Sequence, residues 1–134
     1  MTETAPHPTV AAWHAVVDSR DPDRLDALLA DDVVFRSPAV HTPQEGRALT
    51  SAYLRAALEV LGPGLVYHRQ LVDAESAMLE FTTEVGGKQV HGIDLFRWDA
   101  TGAIVDFTVM VRPAQGLAAV VEAMGAALQR AGRA

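Results

Sequence analysis

Asp94 stands in the middle of an otherwise largely apolar segment, VHGIDLFRW, at residues 90–98. The strand-forming residues around this carboxyl group predict a β-strand that buries it. Burial of an ionised carboxylate costs several kcal/mol unless neighbouring groups satisfy it, and a raised pKa is the usual result. Such a carboxyl group can act as a general acid, a general base or a hydrogen-bond donor near neutral pH. The alternative is a structural carboxylate held by a neighbouring Arg, Trp or backbone N–H.

Histidines are the first candidates for a group that exchanges a proton with Asp94. His41 follows the turn at Pro38, and His68 falls in the middle of a predicted strand, so either could serve. A histidine in solvent or in a dimer contact is the competing interpretation for both. His91 and Asp94 are three residues apart in a strand and therefore point to opposite faces, which argues against a shared metal ion. We predict no metal and no other cofactor.

Composition narrows the class of protein. The chain has 134 residues, of which 49% are hydrophobic, enough for one domain with one core. Eleven Lys and Arg against seventeen Asp and Glu give a net charge of −6, and the scattered basic residues argue against nucleic-acid or anionic-membrane binding. The absence of cysteine excludes disulfides and thiolate chemistry. With no signal-peptide pattern and no apolar run near the roughly 18 residues of a membrane span, we expect a cytoplasmic protein.

The elements that must position Asp94 are predicted from periodicity and turn residues. Apolar spacing of three and four residues indicates helices, and GPG at residues 62–64 ends the longest of them. Turn signals at residues 73–74, 86–87 and 99–102 divide the second half of the chain into four strands joined by short hairpins, an antiparallel meander. The other predicted elements are helices over residues 10–20, 22–29, 47–61 and after Pro113, and a strand over residues 31–38.

The last two predicted strands are apolar on both faces. Ile93 and Leu95 lie opposite the face of Asp94, and Met110 lies opposite Val109. In a small domain, one face must pack on the helices and the other on something else. A second subunit is the simplest candidate.

This order of elements resembles the nuclear transport factor 2-like fold, and the resemblance extends from about Val10 to Val121. The segments RLDALLADDVVFRSP (24–38) and GIDLFRWDATGAIVDF (92–107) are similar to the SnoaL-like and ketosteroid-isomerase-like branches. The resemblance implies an α+β fold, a cone-shaped curved antiparallel sheet wrapped around helices, also described as a cystatin-like α+β barrel. It further implies a single SnoaL-like domain over residues 1–134, with residues 1–8 and 131–134 frayed.

In that family the concave side of the sheet encloses one apolar pocket for a small hydrophobic molecule, and the convex side forms a homodimer. Strand parity places Val90, Gly92, Asp94, Phe96 and Trp98 on one face, which the resemblance puts inside the cone. Asp94 is then the implied catalytic residue. The implied pocket-lining residues are Trp13, Val17, Ser37, Tyr53, Leu54, Leu79, Phe81, Val90, Gly92, Phe96, Phe107 and Val109.

Ketosteroid isomerases use three groups, and only one of them matches. Asp94 falls at the position of their strand carboxylic acid, which stays neutral in apolar surroundings and donates to the developing oxyanion. Their helix tyrosine falls on Trp13, which can donate a hydrogen bond but has no acidic proton. Their general base falls on Ser37, next to Pro38, and a lone serine cannot take a proton from carbon. The resemblance therefore argues against steroid isomerisation.

Two other chemistries of the fold are also incomplete. The paired histidine and aspartate of the aromatic-polyketide cyclases fall near Asp94 and Val109, and the Asp-Arg-Asp set of limonene epoxide hydrolases has no clear counterpart. We expect a pocket protein acting as a cofactor-independent isomerase, cyclase or dehydratase on a small hydrophobic carbonyl metabolite. The alternative is a non-catalytic ligand-binding or dimerisation module with a residual pocket. A second titratable group within hydrogen-bond reach of Asp94 would favour the enzyme.

Overall fold

A computed structural model describes residues 7–132 of the chain. The helices are α1 (Pro8–Ser19), α2 (Pro22–Leu28), α3 (Arg47–Leu61) and α4 (Ala114–Gly132), with a 3₁₀ turn at Gly62–Gly64. The strands are β1 (Leu29–Arg36), β2 (Gln44–Glu45), β3 (Val66–Val72), β4 (Ser76–Val85), β5 (Lys88–Trp98) and β6 (Ile104–Arg112). The main helix and the four-strand meander are thus confirmed. The predicted frayed ends lie mostly outside the described residues, and residues 8, 131 and 132 are helical.

The six strands form one curved, unclosed sheet in the order β2-β1-β6-β5-β4-β3. Strands β3 to β6 are antiparallel, as predicted, but β1 pairs with β6 in parallel, so the sheet is mixed. The reason lies in the connection through α3, which carries the chain to the far edge of the sheet. From there three hairpins return β6 to the side of β1 in the same direction.

Aromatic side chains fill the cone between the sheet and the helices. The Trp13 ring lies 4.7 Å from that of Phe107, and Phe107 stacks on Phe96 at 5.2 Å with the planes only 3° apart. All three are nearly or fully buried, and burial of each such side chain stabilises the fold by roughly 1.5–3 kcal/mol. The predicted inward face of β5 is confirmed, because alternate residues from 90 to 98 are buried.

Two glycines allow close approaches that shape the cone. A Cβ atom on Gly92 would lie 2.6 Å from Cζ of Phe81 and 2.5 Å from the carbonyl oxygen of Met110, so only glycine leaves room for the Phe81 ring and the β6 backbone at this position. A Cβ atom on Gly116 would lie 2.6 Å from the carbonyl oxygen of Gln89. This second glycine brings α4 against β5, and α4 also packs on α3, β4 and β6.

The opposite face of the sheet is exposed and mixes apolar with charged side chains. Leu95 and Met110 are 38% and 51% exposed. Beside them Glu80 accepts hydrogen bonds from Arg69 at 2.8 Å and pairs with His91 at 2.8 Å. Within residues 7–132, no helix is both long and apolar enough to cross a bilayer.

Candidate functional site

The register of the sheet surrounds Asp94 with apolar neighbours. On β5 it lies directly between Leu79 of β4 and Val109 of β6, and its side chain points into the cone. Asp94 is only 6% exposed. The predicted burial of this carboxyl group is therefore confirmed. Because Val109 occupies the position opposite Asp94, a histidine–aspartate pair of the polyketide-cyclase type is absent there.

Tyr67 is the hydrogen-bond partner of Asp94. Its hydroxyl donates to Oδ2 of Asp94 over 2.6 Å, a short distance typical of a charge-assisted bond. Tyr67 is on β3 opposite Phe81 of β4, so its side chain reaches across β4 to the carboxyl group on β5. A second titratable group thus lies within hydrogen-bond reach of Asp94, the feature that favours the enzyme over the inert module.

Trp13 fixes the direction of this hydrogen-bond chain. Its indole Nε1–H donates to the Tyr67 hydroxyl oxygen over 3.0 Å. An indole N–H can only donate, so the Tyr67 oxygen accepts from Trp13 and its own proton points at Asp94. Oδ2 of ionised Asp94 is therefore the acceptor of this hydrogen bond.

The two linked groups have different protonation behaviour. Burial raises the pKa of Asp94 from its ordinary 3.8 to about 7, even though the hydrogen bond from Tyr67 lowers it. Burial and the nearby Asp94 charge raise the pKa of Tyr67 far above its ordinary value. Tyr67 consequently stays protonated as a fixed donor. Asp94 is the group that gains and loses a proton near neutral pH.

A cavity of about 20 Å³ lies beside Asp94; we call it the Asp94 cavity. Its volume is that of one water molecule, since a water needs about 10–15 Å³ measured in this way. Its walls include five of the pocket-lining residues expected from the sequence. These are Trp13, Leu54, Phe81, Phe107 and Val109.

A second space of about 210 Å³ opens outward between the end of β1, the loop at residues 37–40, α3 and α4; we call it the outer groove. The expected pocket residues Ser37, Tyr53 and Val109 line it. Ala57, Leu61 and Val109 line both spaces, so the groove and the Asp94 cavity share a wall.

The remaining expected pocket residues line neither space, because aromatic rings fill most of the cone. Val17, Leu79, Val90, Gly92 and Phe96 belong instead to the core or lie at its edge. Sequence reasoning missed Tyr67. Strand parity could have placed the Tyr67 side chain on the face opposite His68, but it could not have identified Tyr67 as the partner of Asp94.

The histidine candidates do not contact Asp94. His68 bonds the Thr82 hydroxyl over 2.7 Å at the exposed face, and His41 is exposed in the loop after β1. Ser37 lies in the outer groove, where its Oγ accepts the backbone N–H of Ala39 over 3.0 Å. Within residues 7–132, the side chain that hydrogen-bonds to Asp94 is therefore Tyr67 and not a histidine.

Comparisons with known proteins agree with this architecture. A family model described as a SnoaL-like domain matches residues 10–107. A structure described as a steroid delta-isomerase from Pseudomonas aeruginosa is 44% identical, with a TM-score of 0.88 and coverage of 94% of this chain and 93% of that one. A bacterial protein with a cystatin-like fold from Silicibacter pomeroyi is 34% identical, with a TM-score of 0.83 and coverage of 90% and 84%. No curated protein matches significantly.

A more distant structure shows the same fold. The epoxide hydrolase/cyclase-like enzyme SalBIII, linked to pyran ring formation in salinomycin, is 16% identical, with a TM-score of 0.65. The alignment covers 81% of this chain and 90% of that one. At this identity the likeness concerns the fold alone.

Proposed function

This chain belongs to the SnoaL-like domain family, and from that premise we propose that it is a cofactor-independent proton-transfer enzyme. Its substrate is a small hydrophobic carbonyl compound, and its reaction an isomerisation, cyclisation or dehydration. The observation that carries the proposal is the buried pair of Asp94, whose pKa is about 7, and the fixed donor Tyr67. Catalytic acids and bases work best when their pKa is near the operating pH.

The proposed role of Asp94 is to move one proton between two substrate atoms. Ionised Asp94 takes a proton from the carbon next to the carbonyl group of the substrate. The neutral Asp94 that results donates this proton from Oδ1 to a carbonyl oxygen or a leaving hydroxyl oxygen. Tyr67 stabilises the ionised form through Oδ2 and leaves Oδ1 free for the substrate. Ser37 takes no part, because a lone hydroxyl has too little basicity to accept a proton from carbon.

Exchange of α-protons for deuterium in D₂O tests this proposal without knowledge of the natural substrate. A panel of simple ketones and enones is incubated with the protein, and exchange is followed by NMR. We expect exchange in the native protein and a loss of roughly 10²–10⁴-fold in Asp94→Asn, the usual contribution of acid–base catalysis. Glu80→Gln, a carboxylate change on the opposite face, is the matched control and retains the native rate. Equal exchange by native protein and Asp94→Asn would overturn the proposal.

Steroid isomerisation is a second candidate because of the 44% identity to the structure described as a steroid delta-isomerase. Trp13 and Ser37 at two of the three isomerase positions weigh against it. So do the volumes of about 20 and 210 Å³, since drug-sized ligands occupy pockets of roughly 300–1,000 Å³. The test is conversion of a Δ5-3-oxosteroid to the conjugated enone, followed by ultraviolet absorption. Turnover that Asp94→Asn abolishes would make this candidate the better one.

A non-catalytic binding module is the alternative that the small Asp94 cavity favours. It predicts that ketones bind and shift the resonances of Asp94 without exchange of their α-protons. The same panel therefore separates the enzyme from the module.

The proposed assembly is a homodimer through the exposed sheet face. Leu95 and Met110 supply an apolar centre on this face, and the Arg69–Glu80–His91 cluster supplies a polar rim with charges of both signs. Sedimentation velocity at micromolar concentration should give a dimer mass, reduced to a monomer by Met110→Glu. Leu49→Glu, at an exposed position of α3, is the control.

A further inference from the structure

We propose that the outer groove receives the hydrocarbon tail of the substrate, and that the substrate is a slender, uncharged aliphatic carbonyl compound. This inference rests on the proposed function at Asp94. It adds the shape and charge of the molecule on which that site acts.

The chemistry of the outer groove excludes a charged tail. Within residues 7–132, no charged side chain lines this space. Its side-chain polar groups are the hydroxyls of Ser37 and Tyr53, and the Ser37 oxygen already accepts the Ala39 backbone N–H. A carboxylate or phosphate in the groove would lose its hydration without gaining an ionic partner, at a cost of several kcal/mol.

The passage to Asp94 requires a narrow molecule. Ala57, Leu61 and Val109 border both the groove and the Asp94 cavity. Leu61 and Val109 are 7% and 5% exposed, so this part of the shared wall is buried, and side-chain movement must open it to a ligand. The cavity beyond holds the volume of one water, which a carbonyl oxygen can replace. A linear chain can pass two aliphatic side chains with small shifts, but a rigid polycyclic skeleton cannot.

The outer rim of the groove offers apolar surface that a tail would cover. Val121 of α4 is 40% exposed and Val40 of the loop after β1 is 49% exposed. Met124 also lines the groove, and its flexible thioether can adapt to chains of different length. Each methylene group buried here should tighten binding by about fourfold, the equivalent of the transfer free energy of one CH₂.

The test is a series of 2-alkanones from 2-butanone to 2-decanone, with dissociation constants measured from protein NMR shifts. We expect about fourfold tighter binding per added methylene until the groove is full, and then a plateau. Val121→Gln should reduce the gain per methylene. Leu49→Gln, on α3 at a similar exposed fraction of 42%, is the matched control and should leave it unchanged. Decanoate should bind at least tenfold more weakly than 2-decanone.

The outcomes separate this inference from the proposed function. Affinity independent of chain length, no effect of Val121→Gln, or tight binding of decanoate would each overturn the groove proposal, whatever the exchange rates at Asp94. Conversely, gains in affinity per methylene that depend on Val121, without any Asp94-dependent proton exchange, would support the groove proposal and contradict the proposed enzymatic function. Asp94→Asn should weaken the whole series by one factor and leave the increments intact, because it changes the carbonyl end alone.

Discussion

Two carboxyl groups on neighbouring strands of one sheet have pKa values shifted in opposite directions. Asp94 is on β5 opposite Leu79, and Glu80 follows Leu79 on β4, so the two side chains leave opposite faces. Burial raises the pKa of Asp94 to about 7. Hydrogen bonds from Arg69 and His91 lower the pKa of Glu80 to about 2. The face of the sheet, and not the residue type, decides which carboxyl group can exchange protons at neutral pH.

The difference follows from what each face offers a negative charge. On the exposed face Glu80 meets a guanidinium, an imidazole and water, which all stabilise the ionised form. In the cone, as far as residues 7–132 are concerned, Asp94 meets one neutral donor, Tyr67, and otherwise aliphatic and aromatic walls. A single hydrogen bond cannot replace the lost hydration of the carboxylate, so burial favours the neutral form of Asp94.

The largest expected effect is on the pH dependence of stability. Between pH 3.8 and about 7 the unfolded state has lost the Asp94 proton while the folded state keeps it, so rising pH lowers the stability of the native protein. Asp94→Asn lacks this penalty. Its free energy of unfolding relative to native protein should increase by up to about 4 kcal/mol from pH 4 to pH 8. Urea titrations at the two pH values measure this. If the difference in free energy of unfolding between the two proteins is the same at both pH values, Asp94 is a carboxylate with an ordinary pKa.

The next effect concerns the donor in the cone. Tyr67→Phe removes the hydrogen bond that favours ionised Asp94, so the pKa of Asp94 should rise further, by about one to two units for a bond to a charged acceptor. Carbon-detected NMR titration of the variant measures the shift. A lower pKa in Tyr67→Phe would mean that Tyr67 instead stabilises the neutral form.

Trp13→Phe should produce a smaller rise in the pKa of Asp94, less than about one unit. Trp13 acts through Tyr67, because its N–H polarises the hydroxyl that donates to Asp94. Trp98→Phe is the matched control, since Trp98 is also buried on the cone face but packs against Phe96 at the end of β5. Equal shifts in the two variants would indicate a general packing effect.

The smallest effect is expected on the exposed face. The lowered pKa of Glu80 means that its stabilising contribution is present above about pH 4.5 and is lost as pH falls through about 2. Glu80→Gln should therefore melt slightly below native protein at pH 7, and the gap should close near pH 2. Calorimetry at the two pH values tests this. If the difference in melting temperature persists near pH 2, the contribution of Glu80 to stability does not come from its charge.

The family resemblance placed the face of Asp94 in the cone. Strand periodicity predicted which residues share that face, because alternation along β5 requires no knowledge of other elements. It could not predict Tyr67 as the partner, since that contact spans two strands and depends on the register of β3 with β4. The parallel pairing of β1 also depends on tertiary structure. The size of the pocket could not be predicted from the sequence for a different reason. How far Phe96, Phe107 and Trp13 fill the cone depends on side-chain packing, and the outer groove depends on where α4 lies.

The pKa of Asp94 in the native protein tests the central claim most directly. Its carboxyl carbon can be followed by carbon-detected NMR in uniformly labelled protein from pH 3 to pH 9. The contrast between the two faces predicts a midpoint of about 7 for Asp94. A midpoint near the ordinary value of 3.8 would contradict it, because Asp94 would then be a plain carboxylate with no capacity to exchange protons at neutral pH.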